Sequence, residues 1–139
     1  MNQDAKELIV MSGKFLLDTN IVIGLFQAEE AIINRLKQIN HIFVPSIVIG
    51  ELYFGAYNSG KPKENVNRVS EFSLKSAILC SDQHTAKIYG EIKAKLKSLG
   101  KPIPENDIWI AAIAKQYDLT LISRDIHFQN VSGLLCEKI

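Results

Sequence analysis

Cysteine is scarce in this 139-residue chain: Cys80 and Cys136 are the only two, far apart in otherwise apolar, strand-like segments. That scarcity argues against a disulfide framework, and the expected state is two reduced, buried thiols. The three histidines, His41, His84 and His127, are scattered, and none has zinc-ligand spacing with a cysteine or another histidine. No apolar run approaches the roughly 20 residues that cross a bilayer. Met1 to Val10 lacks the basic start and long apolar stretch of a secretion signal, so a cytoplasmic location is expected. Neither sign of charge dominates, the formal net charge being +1. With 47% hydrophobic and 22% charged residues the composition is globular, not disordered or fibrous. One domain over residues 1–139 is expected, burying about two thirds of the surface its unfolded form would expose.

What is present is an alternation of short apolar runs with longer helix-like stretches. Strands are expected at Lys14 to Asp18, His41 to Val44, Ala77 to Cys80, Leu119 to Ser123 and, fifth, Leu134 to Cys136. Helices are expected from near Asn20, over Glu29 to Gln38, from Ile47 with Ser46 as its cap, and from Lys63 to Leu74. The clearest runs from Asp82 to Leu99, where Ile88, Ile92, Leu96 and Leu99 share one face and Gly100 ends it. The last, Glu105 to Tyr117, is apolar nearly all round in its middle and should be buried. Such alternation predicts an α/β fold with a mostly parallel sheet of four or five strands and right-handed crossovers.

Four separated acids carry the chemistry. Asp18 ends the first strand and Asp125 follows the fourth by two residues. In an open parallel sheet, ligands bind beyond the carboxyl ends of the strands, so both acids point to one crevice. Glu51 sits in the apolar run Ile47-Val-Ile-Gly-Glu-Leu-Tyr-Phe54, where a charge is costly unless it is paired or holds a cation. Asp107 falls in the first turn of its helix. Each acid also has a plainer account: a helix cap for Asp18, an exposed stripe for Glu51, the helix dipole for Asp107. Together, carboxylates brought within a few ångström of one another need a counterion, and Mg²⁺ or Mn²⁺, singly or as a pair, would supply it. A cation so held can drive hydrolysis of a phosphodiester by in-line displacement.

Leaving those four acids aside, 16 basic residues face 11 acids. Between Lys61 and Lys101 there are nine basic residues against Glu64, Glu71, Asp82 and Glu91. That excess suits a polyanionic substrate, and equally a solvated helix face.

The segments Leu17-Asp-Thr-Asn20, Glu51-Leu-Tyr-Phe-Gly-Ala56, Asn106-Asp-Ile-Trp-Ile-Ala-Ala112 and Leu121-Ile-Ser-Arg-Asp125, closed by His127-Phe128, resemble the PIN-domain nucleases. Their VapC-type toxin branch is the nearest in pattern, and the resemblance runs in order from Lys14 to the C-terminus. It implies a three-layer PIN-like sandwich, a four- to five-stranded sheet between helices, with a Mg²⁺-dependent endoribonuclease site in which Mn²⁺ substitutes. Asp18, Glu51, Asp107 and Asp125 match the metal acids, and Asn20 and Ser123 match supporting positions. It also implies RNA as substrate, a homodimer, and a cognate antitoxin that inserts a segment into the active-site groove. Met1 to Val10 precedes the usual family start, and residues 1–12 are read as a disordered extension. The competing readings are a PIN-like RNA- or protein-binding module without turnover, and a phosphate-handling α/β enzyme. The latter calls for Asp-x-Asp after the first strand, where this chain has Asp18-Thr19-Asn20, or for an acidic pair before it plus a strand-end lysine.

Overall fold

A computed structural model of the chain describes residues 13–139; the expected disordered extension lies outside them. Five strands form one sheet: β1 (Lys14–Leu17), β2 (His41–Pro45), β3 (Ala77–Leu79), β4 (Thr120–Ser123) and β5 (Cys136–Lys138). Every pairing is parallel, in the order β3-β2-β1-β4-β5. Strand order therefore reverses between β1 and β4, the point at which such sheets open a crevice.

Helices α1 (Thr19–Phe26) and α2 (Glu30–Lys37) connect β1 to β2. Next, α3 (Ser46–Tyr57) and α4 (Pro62–Lys75) connect β2 to β3, and α5 (Gln83–Ser98) and α6 (Glu105–Gln116) lead back to β4. Right-handed crossovers put the first four helices on one face and the last two on the other. A strand covered on both faces must be apolar throughout, and β1 is: Phe15, Leu16 and Leu17 are all buried. Six residues of α6, Ile108 and Ile110 to Ala114, are buried with them, which accounts for its apolar middle.

Local chemistry sets the boundaries. Asp82 caps α5 through a capping box with Thr85, and Gly100, at φ +65°, ends that helix. Edge strand β5 is tied to α2 by Arg35, whose Nε and Nη2 reach the two Glu137 oxygens at 2.6 and 2.8 Å.

Several details differ from the sequence expectations. Ser46 is the first residue of α3 and caps nothing; Pro45 occupies the cap position without a side-chain bond. The fifth strand lies two residues later, at Cys136–Lys138. Leu99, read as part of the buried stripe, is half exposed because α5 has ended at Ser98. Both cysteines are free and exposed rather than buried. Cys80 follows edge strand β3 and Cys136 begins edge strand β5, where neighbours cover one side only.

Candidate metal centre

Topology alone brings the acids close. Asp18 follows β1, and Asp125 follows β4 and precedes a 3-10 turn at Ile126–Asn130. α3 starts from the carboxyl end of β2 and carries Glu51 inward. α6 runs toward the start of β4, so its first turn, with Asp107, lies at the same edge of the sheet.

Asp18 is the most tightly held. It is buried, at 4% exposure. Its Oδ1 accepts the Thr19 N–H at 2.8 Å, so it caps α1. Its Oδ2 accepts the Ser123 hydroxyl at 2.6 Å and the Asn20 amide at 3.2 Å. The Ser123 oxygen in turn accepts the Asp125 N–H at 2.9 Å, and Asn20 Oδ1 accepts the Arg124 N–H at 3.1 Å. The ends of β1 and β4 are thus cross-linked by side chains beyond the last ladder bond, Asp18 N to Ile122 O at 3.1 Å.

The acids also perturb one another. Burial pushes the Asp107 carboxyl up to about 7, helped by the charges of Asp18 and Asp125, a hydrogen bond with Asp125 and the charge of Glu51. All three other acids therefore act on Asp107. Glu51 is raised by burial and then by Asp18, while the Thr19 hydroxyl nearby partly offsets this. Asp18 is raised chiefly by burial and secondarily by Asp125, against its hydrogen bonds. Carboxyls that resist ionisation together favour a positive charge beside them.

A hard divalent cation fits this donor set. Asp107, Asp125 and His127 each present a ligand atom within 4.8 Å of the others'. The buried Thr19 hydroxyl also faces Glu51 and adds a neutral polar oxygen at the site. Carboxylate oxygens with few nitrogens are the ligands hard cations take.

Two neighbours have no role in the sequence reading. Thr19 is one; only its place beside Asp18 marks it. The other is His127, whose Nδ1 lies 2.8 Å from Asp125 Oδ1, the same oxygen that accepts the His127 N–H at 2.9 Å. The available signal is the Asp-x-His spacing at a strand end.

A parallel α/β sandwich with acids gathered at its switch point fits the class of metal-dependent nucleases. The PIN domain model matches residues 15–134, and this chain belongs to the PIN-domain family. It is 39% identical over 127 residues to ribonuclease VapC2 of Haemophilus influenzae, covering 89% of this chain and 96% of that protein. It is 30% identical over 127 residues to the tRNA(fMet)-specific endonuclease VapC of Shigella flexneri, again covering 89% and 96%. Among solved structures, VapBC2 of Rickettsia felis bound to a promoter DNA fragment superposes with a TM-score of 0.83. Identity there is 27%, over 91% of this chain and 99% of that one. DNA-bound VapBC of Salmonella typhimurium gives 0.84 at 29% identity, over 90% and 97%.

Proposed function

We propose that this chain is an endoribonuclease toxin of a toxin–antitoxin pair, cutting RNA at a site built from Asp18, Glu51, Asp107 and Asp125. The observation that carries this reading is the convergence at the β1/β4 switch point of Asp107, Asp125 and His127, whose ligand atoms lie within 4.8 Å of one another, beside the buried Asp18. The four acids would hold Mg²⁺, with Mn²⁺ as a substitute. When bound, such a cation supplies an activated water and screens the charge that develops on the phosphodiester.

The protein's own contribution is rigidity and placement. Ser123, Thr19 and Asn20 fix both oxygens of Asp18, so one ligand is preset before any cation arrives. Asp125 is fixed at one oxygen by His127. Asp107 and Glu51 complete the cluster from two helices. Lys61, Lys63, Lys87, Lys95, Lys97 and Lys101 are exposed and offer charge to an RNA backbone.

Ile23, Phe54 and Tyr57 are exposed at 43%, 70% and 66%. Ile23 and Phe54 line the open clefts that flank Glu51. An apolar face of this kind beside an acidic site suits an antitoxin segment, which supports the partner assignment. A homodimer and a cytoplasmic setting belong to the same reading; no described helix is long and apolar enough to cross a membrane.

The test is cleavage of a labelled RNA by the purified chain. Activity should require Mg²⁺ or Mn²⁺, vanish in EDTA, and be lost in Asp18→Asn and Asp107→Asn variants that remain folded. RNA binding with no cleavage under any metal would instead identify a binding module.

A further inference from the structure

We propose that Glu29 and Arg124 form a positioning latch that sets the strand-end loop Ser123–Asp125, and through it the acid cluster. The proposal rests on the functional reading above. Arg124 stands between Ser123 and Asp125. Its N–H donates to Asn20 Oδ1 at 3.1 Å, and the amide of that Asn20 donates to Asp18 Oδ2 at 3.2 Å. The Arg124 backbone is thus linked through Asn20 to Asp18. Its guanidinium reaches away from the acids to Glu29, making a forked pair: Nη1 to Oε1 at 3.2 Å, and Nη2 to Oε2.

Three features of the α1–α2 turn point the Glu29 carboxylate at Arg124. Glu29 occupies the cap position of α2 but makes no capping bond with its side chain. Ala28 before it is held in the left-handed region at φ 56°, where a residue other than glycine is strained. Gly24 lies under the turn, and its carbonyl accepts the Glu29 N–H at 3.1 Å. A Cβ at Gly24 would lie 2.2 Å from Ile32 Cδ1 and 3.4 Å from the Glu29 carboxyl carbon. With no side chain at position 24, the turn closes on α1 without crowding Ile32. A fork-to-fork Arg–carboxylate pair also fixes direction, which a lysine cannot do.

Magnitudes separate this from an ordinary ion pair. The two side chains are 36% and 35% exposed, so their direct support of the fold is small. Groups that orient metal ligands, by contrast, change metal affinity by about 10- to 100-fold when removed. The latch should therefore appear in metal affinity and turnover, not in melting temperature.

The test uses the full chain with Mn²⁺ alone as the binding probe, then RNA kinetics. The variants are Glu29→Gln, Arg124→Lys and the charge swap Glu29→Arg with Arg124→Glu. Each single variant should raise the Mn²⁺ Kd about 10-fold and lower kcat comparably, with KM changed by less than about twofold. Melting temperature should move by no more than about 4 °C, and the swap should recover most of the Mn²⁺ affinity. Single variants with Mn²⁺ Kd within about twofold of the parent, or a swap no better than the singles, would overturn the latch. A raised KM in Arg124→Lys at unchanged Mn²⁺ affinity would make Arg124 an RNA contact and overturn it too. If the parent chain neither binds Mn²⁺ nor cleaves RNA, the functional reading fails on its own. The latch is then still read in the Asn20 side-chain amide resonance, which Glu29→Gln must shift and the swap restore.

Discussion

Ser123 and Asp18 lie 105 residues apart in the chain, yet the Ser123 hydroxyl donates to Asp18 Oδ2 at 2.6 Å and both side chains are buried. The same Ser123 oxygen accepts the Asp125 N–H. One small hydroxyl thereby sets two acids against each other across the β1/β4 junction.

Ser123→Ala should therefore act twice. Losing a buried hydrogen bond and leaving the Asp125 N–H without its acceptor costs about 1–2 kcal/mol of stability, measurable by urea unfolding. Mn²⁺ affinity should fall about 10-fold, because Asp18 loses the group that orients it. Unchanged metal affinity would mean that Asp18 is fixed by Thr19 and Asn20 alone.

The pH response should invert with metal. Folding raises the Asp107 carboxyl from 3.8 to about 7, so ionising it disfavours the metal-free folded state. Stability contributed by this group is fully present below pH 4 and is lost as pH rises through about 7. A cation prefers the ionised form, so its affinity should rise over the same window. Thermal melts from pH 5.5 to 8, with and without Mn²⁺, should show a metal-induced stabilisation that grows with pH. A pH-independent shift would contradict the assignment.

Asp107→Asn and Glu51→Gln should trade function for stability. Each removes a carboxyl raised by burial and by neighbouring acids, so the metal-free variants should melt higher than the parent at pH 8. Cleavage should fall by roughly 100-fold or more, the loss expected when a charge-stabilising cation is displaced.

Gly24→Ala tests the close approach of α2 to α1. Its new methyl meets Ile32 Cδ1, and overpacking of this kind costs about 1–3 kcal/mol. Ile32→Val removes the opposing methyl, so the double variant should recover part of the loss in a denaturant titration. A freely tolerated Gly24→Ala would show that the turn adjusts without strain.

Thiol labelling of the native protein should modify both Cys80 and Cys136 without denaturant, since both are free and exposed. Cys136 should react more slowly, its thiol being raised by partial burial and then by the charges of Asp18 and Asp125. Mn²⁺ bound to those acids should speed it up, while Cys80 stays unchanged.

Much of this was legible in the residues. Apolar runs such as Phe15-Leu-Leu17 and Leu121-Ile122 read as strands, and the isolated acid in the apolar Ile47–Phe54 run stands out on physical grounds alone. Boundaries at the edges were less legible. Residues Leu134 to Lys138 are short and one-sided, so pairing with β4, not periodicity, decides that the strand begins at Cys136. Ser46 looks like a cap, yet Pro45 already fixes the extended conformation that enters α3. Contacts such as Glu29 to Arg124 span 95 residues and leave no trace in local pattern.

The pairing of β1 with β4 has a further consequence, one of timing. Residues near the start of the chain supply Asp18, Thr19 and Asn20, whereas Ser123 and Asp125 come near its end. Distant contacts form only after the intervening chain exists, and chains emerge from the ribosome at roughly 5–20 residues per second. The side-chain links between Asp18, Ser123 and Asp125 therefore cannot close until the strand Thr120–Ser123 and the residues just after it have been made.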